Sequence, residues 1–439
     1  MSRLKGPLLS LPLSVQAVDW RISREGRHGE QNQGLGNAHP GRGGRARARE
    51  HRPRGEREDG AGQREFVRRA GQRQKLFLGR LRRRALRRFY SFAKNLVAGD
   101  TNRASDVFVR DRMLGTTERV SASSTGQQGY FASDDPAISA DGRYVAFRPG
   151  EDVFVRDRKR DKTRTVSISS TGREGNRDSS DPAISADGRY VAFSSHASNL
   201  VPNDSHDTNF VDVFVRDRKL DTTKRVSVSS AGHRANGNSF SPAISADGRY
   251  VAFASLASNL VPQDTNGTWD VFVRDRKRHV TRRVSVARTG HQVERGRGGD
   301  EPAISADGRY DAFRSGEDVF VRDRKRDRTR RVSVSLSGHR GDGRSDDPAI
   351  SATGRYVAFA SRASNLVAER EDVFVRDQKL DTTRRVSVSS TGQQGNGTSP
   401  HGVAISADGR YVAFYSFATN LVAGDTNSTA DVFVRGPLP

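Results

Sequence analysis

A chain of 439 residues without a single cysteine can build no disulfide framework and do no thiol chemistry. Its formal charge of +23 invites a nucleic-acid reading, but residues 1–88 hold 23 Lys and Arg against 8 Asp and Glu, and residues 89–439 hold 52 against 44. Most of the excess lies in the first segment, so nucleic acid is not an expected partner of the rest; no apolar run reaches the roughly 18 residues of a spanning helix, so no membrane span is expected either.

The opening text, MSRLKGPLLSLPLSVQAVDW, has two basic residues and a short apolar run broken by Pro and Ser, a poor match to a secretory signal. Residues 1–88 are Arg- and Gly-rich with no sustained period of 2 or 3.6, and read as a disordered basic arm. Within the arm, residues 61–88 fit a second text. Take the peptide RVSVSSSGAQANGRNSFSAVSADGRYVA, patterned on the repeats that follow, and write it in GC-rich codons. Read one base early, its last codons become CTC CGC CGA CGG GCG CTA CGT CGC. These encode LRRRALRR, the residues Leu81 to Arg88. The same shift accounts for every residue from Ala61 to Arg88. The segment therefore reads as an out-of-frame translation of a repeat, with its basicity a product of GC-rich codons.

From Phe89 the chain is one unit written many times. PAISADGRYVAF starts at Pro242 and recurs, with small changes, from residues 136, 182, 302, 348 and 403, at spacings of 46, 60, 60, 46 and 55. Each copy leads to DVFVR, and all but the last then lead to a segment like RVSVSS. A fixed period outranks other signals. Each unit reads as four short strands: PAIS; then Tyr250 to Phe253 after the Asp247-Gly248 turn; then Val271 to Val273, apolar enough to be buried on both faces; then Arg283 to Val286, where Val and Ser alternate. The length difference sits in one connection. Ala257 to Trp269 is long, whereas Phe147 runs through RPGE to Asp152 and Phe313 through RSGE to Asp318. Four strands per unit, about seven times over, is all-β and is the arithmetic of a β-propeller. The expected domains are the arm, 1–88, and a propeller, 89–439.

PAISADGRYVAF followed by DVFVRDR and T-x-R-V-S resembles the WD40-like propeller repeats of the TolB type. The resemblance covers roughly residues 89–435. It implies a binding scaffold, commonly extracytoplasmic (periplasmic or secreted), and it says little about the ligand. Three departures stand out: Thr353 replaces the turn Asp, Asp311 replaces the strand Val, and Gly402 precedes Val403 in place of the Asp/Ser-Pro lead-in.

The long connections hold the candidate metal ligands: Asp100, Asn102 and Asp106; Asp264, Asn266 and Asp270; Asp425, Asn427 and Asp431. Three oxygen side chains at D-x-N-x-x-x-D spacing could hold calcium. The alternative is that Asp and Asn cap turns through nearby main-chain N–H groups. Arg249 and its equivalents are expected to pair with the Asp residues of DVFVRD, with an anion-binding rim as the alternative. The ten His are scattered, and no G-x-S-x-G, P-loop or H-E-x-x-H is present.

The expected function is a non-catalytic scaffold, monomeric, that presents loops to a protein or a glycan. The alternative is a propeller-housed carbohydrate-active enzyme, a lyase or hydrolase. Such an enzyme needs carboxylates or His from non-equivalent units, and near-identical units argue against it. Closure is the open point of the fold. Seven blades would use the first unit's remnant strand Phe89–Phe92 and its outer strand Arg119–Ser123. Six blades would instead give Arg119–Ser123 to the last unit, which stops after its third strand. One prediction belongs to the nucleic acid: read one base later, the nucleotides encoding residues 61–88 are expected to spell a repeat close to the peptide above. Sequencing the coding region checks it, and any other text leaves the segment a basic arm.

Overall fold

A computed structural model of the protein describes residues 86–202, 210–292, 299–367, 371–427 and 429–438. They form seven antiparallel sheets in chain order, five of four strands and two, the first and last, of three. Apolar clusters join successive sheets, and Phe89, Phe108, Ala404, Tyr415, Ala430 and Val432 join the last sheet to the first. The result is a β-propeller of seven blades. The six-blade alternative fails because the outer strand of blade 1, Thr116–Arg119, pairs with Asp106–Asp111 of its own blade.

Blade 4 shows the plan: an inner strand Ser239–Ile244, a second strand Tyr250–Ser255, a third Asp270–Asp275 and an outer strand Val280–Arg283. The outer strand lies earlier than the Arg283–Val286 segment expected. Val284 N–H still donates to the Val271 carbonyl at 2.8 Å. The return bond, however, runs from Val271 N–H to the Ser285 hydroxyl at 2.9 Å. A side chain has replaced the main chain in the ladder, and the regular strand stops there. The same displacement puts the outer strand of blade 1 at Thr116–Arg119 instead of Arg119–Ser123.

Inner strands bulge just ahead of their Pro. The preceding residue takes a left-handed φ of 47° at Asp135, 51° at Asp181 and 52° at Ser241, Glu301 and Asp347. In blade 7 Gly402 holds this place at 73°, where glycine meets no steric cost. That accounts for the Gly402-Val403 departure. The third strands are buried on both faces, as Val271, Phe272 and Val273 show. Across the second and third strands a Phe pair stacks in every blade, for example Phe253 and Phe272 with centroids 5.9 Å apart.

Blades are joined through the SADGRY turn. Ser245 Oγ donates to Asp247 at 2.6 Å, and Arg249 N–H donates to the same oxygen at 2.9 Å. Gly248, at φ 72°, lies under the Tyr190 ring of the preceding blade; a Cβ there would sit 2.1 Å from that ring. Gly188, Gly308, Gly354 and Gly409 take Tyr144, Tyr250, Tyr310 and Tyr356 in the same way. Nearer the axis, Ala140 N–H donates to the Ala186 carbonyl at 2.9 Å, and the pattern continues through Ala246, Ala306 and Ala352 to Ala407.

Blade 1 departs from this plan. Its second strand, Leu86–Ser91, begins before the Phe89–Phe92 remnant expected. Leu86 takes the Tyr position and packs on Gly142. With Phe89 matched to Phe414, Arg87 and Arg88 fall where blade 7 has Val412 and Ala413. Arg88 is 1% exposed and donates through Nε to the Pro136 carbonyl. Burial holds its guanidinium pKa well below the ordinary value. Arg87 lies over the Tyr411 ring at 5.7 Å; burial, then repulsion from Arg112, pushes its pKa down to about 9. The rest of the 1–88 arm lies outside the described residues. Restoring the repeat text with Arg87→Val and Arg88→Ala is expected to stabilise the fold by about 1–4 kcal/mol, since a desolvated charge is replaced by apolar packing. Thermal unfolding checks this, and a fall in the midpoint would contradict it.

Candidate functional site

The two ends of the ring differ. One carries the tight SADGRY turns and the turns between third and outer strands. The other carries the long connections after each second strand and the links between blades. All the sequence-derived candidate ligands lie at this second, loop-bearing end.

The structure does bring the D-x-N-x-x-x-D residues together, but around donors. In blade 4, Arg283 Nη1 lies 3.0 Å from Asp264 and 3.3 Å from Asp270. Asn266 points its Nδ2 at Asp270 from 3.0 Å, and its Oδ1 accepts the Thr268 N–H at 3.2 Å. Gln292 donates to Asp264 at 3.0 Å, and Ser285 donates to Asp270. In blade 1, Asp100 and Asp106 share Gln128, which donates at 2.8 and 2.9 Å, and Asn102 Nδ2 reaches Asp106 at 3.3 Å. In blade 7, Asn427 Nδ2 donates to Asp431 at 3.0 Å, and its Oδ1 accepts the Thr429 N–H at 2.9 Å. The same knot forms where no D-x-N text precedes it: Asp318 lies 3.3 Å from Arg331 and 2.9 Å from Arg340, and Ser333 donates to it. The side-chain amides thus present hydrogens to these carboxylates, and the Asn oxygens cap turns.

Arg249 pairs with Asp275 through two bonds, 2.9 Å from Nε and 2.7 Å from Nη2. Arg143, Arg189, Arg309 and Arg355 repeat this with Asp157, Asp217, Asp323 and Asp377. These Arg are therefore tied into their own blades.

Sequence reasoning missed two features. The first is an acidic axial mouth at the loop-bearing end, built by the residues around the inner-strand bulges. Asp347 N–H donates to Glu301 at 2.8 Å, Val403 N–H to Asp347 at 2.9 Å, and Ser241 N–H to Asp181 at 3.4 Å. Asp134 and Asp346 lie beside this chain of carboxylates. Burial, then the charges of Glu301, Asp347 and Glu371, raises the pKa of Asp346; Arg344 at 2.9 Å partly offsets this. The blades with short connections, 2 and 5, each add an Arg in the second strand: Arg148 bonds Asp134 at 2.8 Å twice, and Arg314 bonds Asp300. Their connections between second and third strands are the short ones, and blades 2 and 5 are nearly opposite in a ring of seven.

The second missed feature is aromatic. Among the described residues the exposed aromatic side chains, Phe92, Tyr130, Phe131, Phe210 and Phe417, all lie at the loop-bearing end. Tyr130 is 94% and Phe131 70% exposed, and Phe131 lies against Gly150 in the short connection of blade 2. On the same end Phe240 and Trp269 pack with centroids 5.1 Å apart. The signal in the sequence was the odd text at these places, since the repeats elsewhere put His196 or Arg362 where Phe92 and Phe417 stand.

A cavity of about 160 Å³ lies on the axis, lined by Ala and Ile of six blades, such as Ala137, Ile138, Ala183 and Ile184. It offers no polar side chain for chemistry. Asp311, the strand departure, is fully buried 3.0 Å from Arg324 Nε, and burial pushes its pKa up to about 7. It sits inside blade 5, away from the mouth. No group of three or more His, Asp or Glu placed to hold a metal ion occurs among the described residues, and no helix there is long and apolar enough to cross a membrane.

No protein-family model matches the chain, and no curated protein matches it. Solved structures do. An oligogalacturonate lyase in complex with manganese matches with a TM-score of 0.53 at 12% identity, over 83% of this chain and 90% of that one. A prolyl endopeptidase structure matches with a TM-score of 0.51 at 14% identity, over 84% of this chain and 51% of that one. TolB from Acinetobacter baumannii matches with a TM-score of 0.40 at 17% identity, over 67% of this chain; this chain spans 62% of that one. At such identities the likeness concerns fold. The chain is a β-propeller, a fold it shares with that lyase and that endopeptidase structure.

One prediction follows from the Asp264 knot. Burial first, and then the charge of Asp270, pushes the Asp264 pKa up from 3.8 to about 6. A carboxyl raised on folding stabilises the fold while protonated. That contribution is complete below 3.8 and is lost as the pH rises through about 6. Asp264→Asn is therefore expected to flatten the fall in thermal midpoint across this window, measured by calorimetry with and without millimolar calcium. An unchanged slope would contradict the raised pKa, and a calcium-dependent rise in the unaltered chain would restore the metal reading.

Proposed function

We propose that this propeller is a non-catalytic, extracytoplasmic binding scaffold whose loop-bearing end holds an extended, Lys- and Arg-rich segment of a protein partner across the axial mouth. The observation that carries this reading is the gathering of the exposed aromatic rings at the end that also bears the carboxylates. Both features favour the same ligand: a cation is attracted to a ring face and to a carboxylate. An acidic glycan would be repelled at the mouth, and a neutral one would gain nothing from its charge. The short connections of blades 2 and 5, nearly opposite in the ring, suit a chain that enters at one side and leaves at the other. The D-x-N clusters are proposed as turn caps held by Arg and amide donors, with no calcium required.

A catalytic reading has less support from the residues. The carboxylates at the mouth accept main-chain N–H groups or Arg side chains, and the recurring Asp–Arg pairs are the same in blade after blade. The lyase and endopeptidase activities belong to the matched proteins.

The test is a titration of the full chain with basic, acidic and uncharged peptides and with a neutral oligosaccharide. The basic peptide is expected to bind, with affinity falling as salt rises. Tyr130→Ala with Phe131→Ala is expected to weaken binding by roughly tenfold, the scale of one lost aromatic contact. Binding of the oligosaccharide alone would make the partner a glycan, and binding of none would overturn the assignment of this face.

A further inference from the structure

The axis of the ring is lined by one short text, Ile-Ser-Ala, written in blades 2 to 7. It starts at the last residue of each inner strand and leads into the SADGRY turn. The middle Ser, such as Ser245, is fully buried and donates to the Asp of its turn at 2.6 Å. Side chains alternate along a strand, so the Ile and the Ala turn together to the opposite face. That face looks onto the axis. Ile138, Ile184, Ile244, Ile304, Ile350 and Ile405 all line the axial cavity, together with the Ala residues from Ala140 to Ala407.

These side chains do not meet across the axis. Ile184, Ile244, Ile304 and Ile350 are only half-buried, and so are Ala186, Ala246 and Ala306. A ring of blades is wider at its centre than two short apolar side chains, so part of their surface stays in contact with water. Covering that surface is favourable in proportion to its area. The cavity volume is about 160 Å³. An apolar cavity on this scale takes one benzene-sized group, about six carbons.

Charge decides which kind of apolar molecule fits. Both ends of the lining text carry carboxylates. At the loop-bearing end they are the bulge residues Asp135, Asp181, Glu301 and Asp347, each a few positions ahead of its Ile. Arg148 and Arg314, 3.9 Å from Asp135 and Glu301, offset part of this set. At the other end Asp141, Asp187, Asp247, Asp307 and Asp408 directly follow the lining Ala and are exposed. An anionic head group meets like charge at either end, and a cationic one meets opposite charge.

We propose that the axial cavity is a binding site for the alkyl chain of a small organic cation, a primary alkylammonium of about six carbons. The chain lies among the six Ile, and the ammonium group lies at the carboxylates. The site is separate from the aromatic patch at the loop-bearing end and needs no peptide partner.

Titration calorimetry of the full chain with butylammonium, hexylammonium, hexanoate and butanediammonium tests this. Hexylammonium is expected to bind best. Affinity should rise roughly fourfold per methylene from the butyl to the hexyl chain and fall with salt. Hexanoate has the wrong charge and butanediammonium has no apolar end, so neither is expected to bind. In methyl spectra of the unaltered chain, hexylammonium should shift Ile184, Ile244 and Ile304 and leave Ile168, which lies outside the cavity, in place. Ala186→Leu with Ala306→Leu fills the cavity from blades 3 and 5 and is expected to abolish binding, whereas Tyr130→Ala with Phe131→Ala leaves it unchanged. Affinity independent of chain length, hexanoate binding as tightly as hexylammonium, or unmoved Ile methyls at the axis would each overturn the proposal.

Discussion

The ring depends on one contact repeated between blades: a Tyr ring of one blade laid over the Gly of the next. Gly248 under Tyr190 has neither the room nor the φ for a side chain. The ring is held from both sides by guanidinium groups, Arg189 at 4.7 Å and Arg276 of the following blade at 4.5 Å. Arg276 also donates to the Gly248 carbonyl. A single stack thus fixes turn conformation, blade spacing and the position of a buried cation. It explains why the SADGRY text varies so little along this chain: its Ala, Gly and Tyr each touch a neighbouring blade. Where the stack is altered, in blade 1, Leu86 replaces the ring and two arginines follow it into the core.

Charge in this propeller is organised by blade as well as by net sum. Arg249 and its equivalents in blades 2, 3, 5 and 6 are consumed by Asp275 and its equivalents, and the first Asp of the third strand in blades 1 and 3 to 6 is consumed by Ser and Arg neighbours. What survives is local. The bulge residues ahead of each Pro converge on the axis and form an acidic mouth on a protein of basic composition. Blades 2 and 5 differ by their short connections and by the Arg each adds beside the mouth. A scaffold built of equal units thereby acquires a direction through the units that differ.

Much of the fold was legible in the text. The period, the Asp-Gly turn and the apolar DVFVR strand led to four-stranded blades, because each is a local property of a few adjacent residues; the choice between seven blades and six needed the closure. The outer strand was misplaced by a few residues, since Ser285 substitutes its hydroxyl for a main-chain partner, and no periodicity shows which of two donors a Val N–H will face. The Asp–Arg pairing was also legible, as both partners recur at constant offsets. The mouth was not. Asp181 and Ser241, or Glu301 and Asp347, meet only across blades, and nothing in their spacing says which way a bulge turns them.

Sequence by itself determined that this chain is a repeat protein with strand, turn and core in fixed places, because hydrophobic alternation and turn chemistry act over a few residues. It also determined which connections are long and which are short. Tertiary structure decided what those residues face. It gave the candidate calcium ligands an arginine and two amides as company, and it collected Phe92, Tyr130, Phe131, Phe210 and Phe417 from four parts of the chain onto one end. The reason is geometric: a ring brings together residues that are equivalent by blade, however far apart they lie in sequence, and only closure sets which of them become neighbours.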